Sequence, residues 1–368
     1  MPGHKRIWFH CASLGEFEQG RPLIEACRVK YPDYEILLTF FSPSGYEVRK
    51  NYDGVDFIFY LPMDTPQQAK RFVEIVQPTV VFFIKYEYWY NMLNVLDKKH
   101  IPVFIVSAIF RPTQHFFSFY GSWFRAHLSK ITHFFVQNEE SLAILASIGI
   151  KQTSLTGDTR FDRVFTIAQQ AKEFPLIKEF RGDDSLFLLG SSWPEDEKIV
   201  SELIAKNLPG LKFVIAPHEV TESRIQTLLE KMPEGTLRYT KLEKGSKSES
   251  PKVLIVDSMG ILSSLYQYAS FAYIGGGFGK GIHNVLEAAT FGMPVFFGPN
   301  YLRFQEACDL VERGGAFPLS DSRTLIGKVQ ELQGNPVHHD KISSITKSYV
   351  SEKRGATAQI LSKINSYL

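Results

Sequence analysis

The sequence has few cysteines, almost no net charge and no long apolar segment. The 3 cysteines in 368 residues, at positions 11, 27 and 308, lack the C-x-x-C spacing of zinc and redox sites, and they fit a reduced, cytosolic compartment. Lysine and arginine number 41 against 39 acidic residues, so the formal charge of +2 creates no overall field for nucleic acid. The longest apolar run, 101–110, is shorter than the roughly 20 residues that cross a bilayer. We therefore expect no nucleic-acid partner and no membrane-spanning helix.

What the sequence does contain is the pattern of two α/β domains. Hydrophobic residues make up 44% and charged residues 22%, and at roughly 150 residues per domain the length predicts about two domains. Short, continuously apolar runs alternate with helical patterns, which indicates parallel sheets covered by helices on both faces. The predicted strands are residues 7–12, 35–40, 57–60, 79–84, 103–107 and 133–137, followed by 187–189, 211–216, 253–256, 271–274 and 295–297. The expected fold class is α/β, with two Rossmann-like, doubly wound domains.

A charged, poorly periodic stretch around Pro175 marks the predicted domain boundary. The predicted parts are an N-terminal domain at 1–170, a linker at 171–184, a second domain at 185–345 and a closing helix at 346–368 that crosses back to the first domain. Ligands of open α/β sheets bind at the carboxyl ends of the strands, so two facing sheets are expected to leave a cleft there. The functional residues are therefore expected in loops that follow strands.

The loop after the first predicted strand brings Glu16 to the start of the first predicted helix. A carboxylate at this edge is suited to take a proton from an incoming hydroxyl, which makes Glu16 a candidate catalytic base. The alternative is an acidic residue that only complements the helix dipole. Ser13 has the same ambiguity, because helix capping is the commonest role of a serine at such a position.

The most informative segment is a glycine-rich loop at 275–287, between a predicted strand and a predicted helix. Glycines let the backbone approach an anion, a helix N-terminus presents N–H groups to it, and Lys280 adds a positive charge. The segment lacks the G-K-[ST] of a Walker loop, and Glu287 follows Asn284 by one helical turn, where it can accept hydrogen bonds from a ribose. The alternative is a glycine turn shaped only by packing. The candidate nucleotide-binding residues are Gly275, Gly276, Gly277, Lys280, Gly281, His283, Asn284 and Glu287.

Two other strand ends add candidate ligand-binding residues. Ser191 and Ser192 follow the first predicted strand of the second half, where a hydroxyl can bond a phosphate or a carboxylate. Ser258, Met259 and Gly260 follow a later strand and open a further predicted helix, so they add N–H groups at the same edge. A helix cap followed by a turn explains this second segment equally well.

Several segments form a recognisable set along the chain. They are Ala12-Ser13-Leu14-Gly15-Glu16, Glu87 with Trp89, Thr156-Gly157-Asp158 with Phe161-Asp162, the segments 257–260 and 275–287, and the block from 298 to 316. This set resembles the motifs of the Kdo transferases, which attach 3-deoxy-D-manno-octulosonic acid (Kdo) from CMP-Kdo to the lipid A precursor of Gram-negative bacteria. The resemblance covers essentially the whole chain and implies a GT-B fold and an inverting sugar transfer with no cofactor and no bound metal.

The resemblance also implies roles for the candidate residues. Glu16 is then the general base that deprotonates a hydroxyl of the glucosamine disaccharide. The glycine loop, Lys280 and a helix that begins near His283 stabilise the departing phosphate, Glu287 holds the ribose, and residues 258–260 seat the cytidine nucleotide. The expected acceptor-binding residues are Ser13, Gly15, Arg21 and Glu87, with an ordinary solvated charge as the alternative for Arg21. The implied partners are CMP-Kdo and a lipid A precursor, in lipopolysaccharide biosynthesis at the cytoplasmic face of the inner membrane.

The sequence departs from the family's pattern in three places. Residues 216–219 read A-P-H-E where A-P-R-H is usual, so an arginine expected near the donor is missing. Pro217 and His218 are the expected donor contacts, and either His218 replaces the arginine as a hydrogen-bond donor or the donor carboxylate is held elsewhere. Lys85 stands in place of the first carboxylate of the family's E-T-E-L-W segment. The family's hydrophobic anchor before the first strand is absent, so we expect this sequence to be truncated at its N-terminus.

An aromatic segment at 116–125 is the candidate membrane-facing surface. Its aromatic residues lie beside basic ones, a combination that suits an interface with anionic lipid headgroups. Aromatic residues at helical spacing are also typical of a core, so a buried cluster is the alternative. The predicted membrane-facing residues are Phe116, Phe117, Phe119, Trp123 and Arg125.

Two other functions are compatible with the residues. A UDP-sugar 2-epimerase of the same fold acts without a lipid acceptor, and a catalytically silent, membrane-associated scaffold keeps the fold without the chemistry. Retention of Glu16 favours an enzyme over a scaffold. The acidic loop and the glycine loop fall in opposite predicted domains, as a reaction between two substrates requires. We therefore expect a glycosyltransferase.

Overall fold

The computed structural model describes residues 5–243 and 251–368. The expected N-terminal truncation concerns the start of the chain, and residues 1–4 lie outside the described part. The chain divides into two compact units. The first runs to Arg163 and also includes Lys353–Leu368, and the second is Val164–Glu352.

The structure and the predicted domain limits differ in detail. The division between the units falls inside the helix Arg160–Gln169, whereas the first domain was predicted to extend to residue 170. The segment predicted as a linker contains a helix, Pro175–Arg181. Pro175 occupies the first turn of this helix, where the missing N–H of proline costs no hydrogen bond, so it starts a helix here.

The first unit contains a parallel sheet of seven strands, in the order β3-β2-β1-β4-β5-β6-β7. The strands are β1 Arg6–His10, β2 Glu35–Phe40, β3 Phe57–Tyr60, β4 Val80–Ile84, β5 Val103–Ala108, β6 His133–Val136 and β7 Thr153–Leu155. Every residue of β4, β5 and β6 is buried, because helices cover both faces of the sheet.

The second unit repeats this arrangement with a seven-stranded sheet in the order β10-β11-β9-β8-β12-β13-β14. The strands are β8 Ser185–Ser192, β9 Leu211–Pro217, β10 Leu237–Arg238, β11 Val253–Ile255, β12 Phe271–Ile274, β13 Val295–Phe297 and β14 Ala316–Pro318. All described strand pairs are parallel. The predicted fold class, α/β with two doubly wound sheets, is confirmed.

Helices connect the strands of both sheets. They are α1 Leu14–Lys30, α2 Pro43–Arg49, α3 Pro66–Val76, α4 Tyr90–Lys98, α5 Ser122–Leu128, α6 Glu139–Ser147, α7 Arg160–Gln169, α8 Pro175–Arg181, α9 Pro194–Ala205, α10 Glu222–Leu229, α11 Tyr239–Glu243, α12 Leu262–Leu265, α13 Leu286–Ala289, α14 Gln305–Glu312, α15 Ser322–Gly334, α16 Pro336–Lys353 and α17 Ala356–Ile364, with short 3-10 helices at His115–Phe117 and Tyr266–Tyr268. Local capping fixes several starts, since the side chains of Thr65, Asn138 and Asp321 each accept the backbone N–H of the third residue of the helix that follows.

The C-terminal segment forms two helices where the sequence predicts one. α16 ends at Lys353 and α17 begins at Ala356, because Gly355 adopts a φ of 110° between them. Asp162 caps α17 by accepting the backbone N–H of Gly355 at 2.5 Å and of Thr357 at 2.7 Å. α17 packs on α1 within the first unit, and this gives the Phe161-Asp162 motif a structural role.

Candidate active site

Glu16 lies in the first turn of α1, just after the carboxyl end of β1. Its Oε2 accepts the backbone N–H of Ala12 at 2.5 Å, which fixes the carboxylate against the loop. β1 pairs with β4, with His10 opposite Phe83, so the segments that follow these two strands meet at one edge of the sheet. This edge brings the charge of Glu87, which follows β4, into the surroundings of Glu16.

The Glu16 carboxyl has an unusually high proton affinity. Burial and then the negative charge of Glu87 raise the pKa of Glu16 from 4.5 to about 7, against the opposing effects of the Ala12 N–H and of Lys85. An acid that only complements a helix dipole has a lowered pKa. The raised pKa, together with the position of Glu16 after β1, favours the catalytic interpretation, in which Glu16 takes up a proton near neutral pH.

Glu87 is held by a chain of hydrogen bonds that the sequence analysis did not predict. Its Oε2 accepts the indole N–H of Trp89 at 2.5 Å and faces Nε2 of His10 at 3.3 Å. The other ring nitrogen of His10 lies 2.9 Å from Thr39 Oγ1, which also accepts the Trp8 indole N–H at 2.8 Å. His10 and Thr39 are fully buried. The available signal was a histidine at the end of an apolar strand, directly before a candidate catalytic loop.

The other acceptor-side candidates separate into two groups. Ser13 occupies the N-cap of α1, yet its side chain makes no capping bond, and Gly15 is exposed with open space where a side chain would project. Arg21 instead donates to Glu25 at 2.7 Å and lies over the ring of Tyr52. The structure thus leaves Ser13 and Gly15 in the Glu16 loop, and it commits the Arg21 guanidinium to partners within the protein.

The glycine loop after β12 is shaped by close backbone contacts. Gly276 has a φ of 92°, and its N–H donates to the buried carboxylate of Asp196 at 2.8 Å. A side-chain carbon on Gly277 would lie 2.5 Å from the backbone nitrogen of Gly298, so glycine is required there. Asn300 donates its backbone N–H to the Gly277 carbonyl at 2.9 Å. Packing therefore explains Gly277, and Asp196 is an anchor that the sequence analysis missed.

Two helices that were expected to present their N-termini to an anion are too short to do so. α13 begins at Leu286 rather than near His283, and both α12 and α13 have four residues. The prediction of a helix start near His283 is wrong, because Gly281, with a φ of 140°, holds the preceding segment in a turn. An anion at this loop would meet loop backbone and Lys280 rather than the dipole of a long helix.

A cavity of about 380 Å³ adjoins the glycine loop. It is lined by Trp193, Glu195, Asp196, Gly276, Phe278, Gly279, Lys280, Gly281 and His283. The exposed His218 stacks between two of the rings beside this cavity, 4.8 Å from Trp193 and 4.5 Å from His283 between ring centres. Burial, followed by the nearby His218, lowers the pKa of His283 to about 4, and Nε2 of His283 accepts the Trp193 indole N–H at 3.2 Å. His218, which stands where the family usually has an arginine, therefore lies next to the glycine loop.

The candidates at the ends of β8 and β9 are placed differently from one another. Ser191 has a φ of 53° and is partly exposed. The Ser192 hydroxyl is buried and donates to the Glu197 carboxylate at 2.7 Å, so its hydrogen is already committed within the protein, and Ser191 is the better placed of the two for a ligand. Pro217 is a buried residue at the end of β9.

The remaining residues that were predicted to bind the nucleotide lie near the end of β11 and along the glycine segment. The Ser258 hydroxyl is buried and has no hydrogen-bond partner among the described residues, which leaves it available to a ligand. Met259 and Gly260 are exposed beside it. Asn284 donates its side-chain N–H to Glu287 at 3.1 Å, so the two residues that were predicted to be neighbours are in contact.

The aromatic segment divides into an exposed part and a buried part. Phe119 is 96% exposed and Trp123 is 55% exposed. Phe116 is only 5% exposed and belongs to the core of the first unit, against which Phe117 also packs. Arg125 donates to two backbone carbonyl groups of the same segment. The prediction of a membrane-facing position is therefore wrong for Phe116, because its ring fills the core, and Arg125 serves the segment's own backbone.

The described ranges contain no group of three or more His, Cys, Asp or Glu side chains arranged to hold a metal ion. None of the helices in those ranges has the length and apolar character needed to cross a membrane.

Comparison with known proteins finds similarity to the Kdo transferases. Residues 1–163 match the family model of 3-deoxy-D-manno-octulosonic-acid transferase (kdotransferase). The 3-deoxy-D-manno-octulosonic acid transferase of Haemophilus influenzae is 28% identical, over 100% of this chain and 88% of that protein. The enzyme of the same name from Aquifex aeolicus is 28% identical, over 89% of this chain and 85% of that protein. This chain is a relative of the Kdo transferases. The resemblance inferred from the motifs is confirmed, and the chain is a glycosyltransferase.

A solved structure supports the fold of this Kdo transferase relative. The UDP-GlcNAc 2-epimerase from Neisseria meningitidis, bound to UDP-GlcNAc, superposes with a TM-score of 0.65 over 98% of this chain and 100% of that chain. The sequence identity is 16%, so the likeness concerns the fold alone. It agrees with the predicted GT-B type of architecture.

Proposed function

We propose that this glycosyltransferase moves Kdo from CMP-Kdo to a hydroxyl of the glucosamine disaccharide of a lipid A precursor, in lipopolysaccharide biosynthesis. The observation that carries the proposal is the Glu16 carboxyl, whose position after β1 and pKa of about 7 suit the removal of a proton from a hydroxyl. The names of the relatives support Kdo as the transferred sugar.

On the acceptor side, Glu16 takes the proton of the attacking hydroxyl. The hydroxyl oxygen bonds to the anomeric carbon of Kdo while the bond from that carbon to the phosphate oxygen breaks, and CMP leaves with the bonding electron pair. The proton remains on Glu16 until solvent removes it. Attack from the face opposite to CMP inverts the configuration at the anomeric carbon. Ser13, Gly15 and Glu87 are the acceptor-side residues of this proposal, because Ser13 and Gly15 lie just before Glu16 in the chain and the charge of Glu87 acts on it.

On the donor side, the glycine loop receives the nucleotide phosphate. Lys280 and loop N–H groups compensate the charge that develops on the departing phosphate, so the proposal requires neither a cofactor nor a metal. The unpartnered Ser258 hydroxyl bonds the nucleotide, and Glu287 accepts from the ribose. His218 takes the place of the missing arginine as a donor to the Kdo carboxylate, a role that its exposure beside the cavity supports.

The lipid acceptor requires contact with a membrane surface. We assign this contact to the exposed rings of Phe119, Tyr120 and Trp123, on the cytoplasmic face of the inner membrane. Tryptophan and tyrosine at such an interface bury apolar ring area and keep a polar atom in the headgroup region.

The test is a transfer assay with CMP-Kdo and a tetraacylated lipid A precursor, with UDP-N-acetylglucosamine as the competing substrate. The wild-type protein is expected to form the Kdo-containing lipid and to leave the UDP-sugar unchanged. Glu16→Gln is expected to lose transfer. Glu18→Gln is the matched control, because Glu18 is in the same helix turn and pairs with Arg49. Turnover of the UDP-sugar, or equal transfer by the two variants, would contradict the proposal.

A further inference from the structure

Trp193 and His283 form a side-chain hydrogen bond beside the glycine loop, and no step of the proposed reaction uses it. The indole N–H of Trp193 donates to Nε2 of His283, with 3.2 Å between the two nitrogens. Trp193 directly follows β8, and His283 follows the glycines of the loop after β12. Both residues line the cavity of about 380 Å³. The bond therefore joins two strand ends at the place where the nucleotide phosphate is proposed to bind.

The neighbouring contacts hold both partners of this bond. One oxygen of the Asp196 carboxylate accepts the backbone N–H of Trp193 at 3.0 Å and that of Gly276 at 2.8 Å. The ring of His218 stacks on the ring of His283, with 4.5 Å between their centres. A side-chain carbon on Gly276 would lie 3.2 Å from Cδ2 of His283, so the imidazole also packs against the loop. The orientation of the His283 ring is therefore fixed by several contacts.

The donor in this bond decides which nitrogen of His283 carries a hydrogen. An indole nitrogen donates hydrogen bonds and accepts none, so Nε2 must accept with its lone pair. A neutral imidazole has one N–H, which is then on Nδ1. A proton on Nε2 would bring two hydrogens face to face and break the bond. The pKa of His283, which burial and then His218 lower to about 4, agrees with a neutral ring.

This tautomer excludes one role for His283 and leaves another. Trp193 occupies the lone pair on Nε2, so His283 has no free lone pair with which to take a proton from a substrate. The N–H on Nδ1 makes no hydrogen bond within residues 5–243 and 251–368. A partly buried donor of this kind requires an acceptor from outside the protein. His283 is therefore equipped to donate a hydrogen bond to a ligand.

We propose that Trp193 is a positioning residue that holds His283 as a neutral Nδ1–H donor to the phosphate of the sugar nucleotide. The inference rests on the proposed function and adds a directed side-chain donor to the loop N–H groups and Lys280. Ionised phosphate oxygens are hydrogen-bond acceptors, so an N–H attracts them, whereas the opposite tautomer would turn a lone pair toward them. Fixing the tautomer before the nucleotide arrives removes the cost of selecting it on binding.

The other polar side chains of the cavity do not supply such a donor. The Asp196 carboxylate accepts hydrogen bonds, including that of the Tyr273 hydroxyl at 3.3 Å. Glu195 is an exposed carboxylate, which repels a phosphate. Lys280 is exposed and adds a positive charge on a flexible stem rather than a fixed direction. Among these lining side chains, His283 offers the oriented N–H.

The direct test observes the two ring nitrogens of His283 without any ligand. Nitrogen-15 NMR distinguishes a ring nitrogen that carries hydrogen from one that has a lone pair, and the His283 signals are identified by their loss in His283→Asn. The wild type is expected to carry the hydrogen on Nδ1. Trp193→Phe keeps an aromatic ring without the indole N–H, so the Nε2–H form should appear. A wild-type ring with its hydrogen on Nε2 overturns the inference.

Trp123→Phe is the matched control for this measurement. It removes an indole N–H from the first unit, in α5, and should leave the His283 signals and the affinity for CMP unchanged. An equal change of the His283 signals in both tryptophan variants would overturn the specific role of Trp193.

Calorimetry with CMP tests what the N–H on Nδ1 binds. An asparagine amide can place an N–H where Nδ1 stands, whereas a glutamine amide places one near Nε2. His283→Gln should weaken CMP binding about tenfold or more, the usual contribution of a hydrogen bond to a charged group. His283→Asn should bind CMP about threefold or more tighter than His283→Gln. Equal affinities of the wild type and a folded His283→Gln overturn the inference, with thermal unfolding used to establish the fold.

The same calorimetry measures the contribution of Trp193. Trp193→Phe should weaken CMP binding by about threefold to tenfold, because the free ring must first change its tautomer. This variant takes the place of His283→Gln if the latter fails to fold. A folded Trp193→Phe that shows the Nε2–H form and binds CMP as tightly as the wild type would overturn the positioning role.

Uridine monophosphate separates this inference from the proposed function. Binding of the uridine nucleotide instead of CMP, with the same loss in His283→Gln, would support the inference and contradict transfer from CMP-Kdo. CMP binding that His283→Gln leaves unchanged would overturn the inference and leave the proposed function intact. Binding of neither nucleotide by the folded wild type would contradict both.

Discussion

The two units build their candidate sites from different materials. In the first unit, the Glu16 loop depends on charged and aromatic side chains that buried hydrogen bonds hold in place. In the second unit, the glycine loop depends on backbone geometry, with Gly276 at a positive φ and Gly277 against the backbone of Gly298. The first arrangement suits proton transfer and the second suits the reception of a phosphate.

This difference determines how each site is broken. A side-chain site loses function when a charge is removed, even if the shape of the residue is kept. A backbone site depends less on such changes, and it fails when a side-chain carbon is added where two backbones touch. The two loops should therefore respond most strongly to different kinds of substitution.

The largest effect is expected from Glu16→Gln, which removes the base and keeps the size of the side chain. Transfer should fall by about 10²- to 10⁴-fold, the usual contribution of general base catalysis. CMP affinity, measured by calorimetry, should stay close to that of the wild type, because Glu16 belongs to the acceptor side. A parallel loss of CMP affinity would show that the two sites are not separable in this way.

The next effect is expected in the glycine loop. Gly277→Ala adds a carbon 2.5 Å from the Gly298 nitrogen and should weaken CMP binding about tenfold to a hundredfold. Gly279→Ala is the matched control, because its added carbon meets only the Gly276 carbonyl, at 3.7 Å. Calorimetry with CMP compares the two variants. Equal affinities would mean that the loop backbone does not form the phosphate site.

A smaller effect is expected from Lys280→Met. The exposed ammonium group contributes a screened attraction to the phosphate, so CMP affinity should fall by about fivefold to tenfold at low salt. Raising the salt concentration should reduce the difference between variant and wild type. Lys206→Met, which removes an exposed lysine at the end of α9, serves as the control and should leave CMP affinity unchanged.

The smallest effect is expected at the aromatic segment. Phe119→Ser should weaken binding to vesicles that contain anionic lipids by about threefold to tenfold, since a fully buried phenylalanine contributes about 1.5–3 kcal/mol and an interfacial one less. Val29→Ser removes another exposed apolar side chain, 82% accessible on α1, and should not change vesicle binding. Sedimentation with vesicles provides the measurement, and equal binding by both variants would count against the assigned surface.

The interior strands and the edge strand β3 were predictable from the sequence, and the other three edge strands were not. Strands such as β4 and β5 are apolar on both faces and give a continuous signal. β7, β10 and β14 escaped prediction because each is an edge strand of two or three residues that lacks the continuous run of large apolar residues seen in a short interior strand such as β13. Their pairing depends on the neighbouring strand rather than on their own composition.

The same limit applies to the candidate site. Glu16 and the glycine loop are evident from residue types in loops that follow strands. Hydrogen bonds join His10 to Thr39 and to Glu87, and another joins Asp196 to the glycine loop. These partners are far apart in sequence, so no local pattern reveals them. Phe116 and Phe119 look alike in the sequence, and only the packing shows which ring is buried.

The most direct test of the central claim is the pH dependence of kcat/KM for Kdo transfer. A carboxyl whose pKa is raised to about 7 must lose its proton before it can act as the base, so activity should rise with pH through an acidic limb near 7. An acidic limb near pH 4.5, the ordinary value for a glutamate, or a profile that Glu16→Gln leaves unchanged, would contradict the assignment of Glu16 as the base.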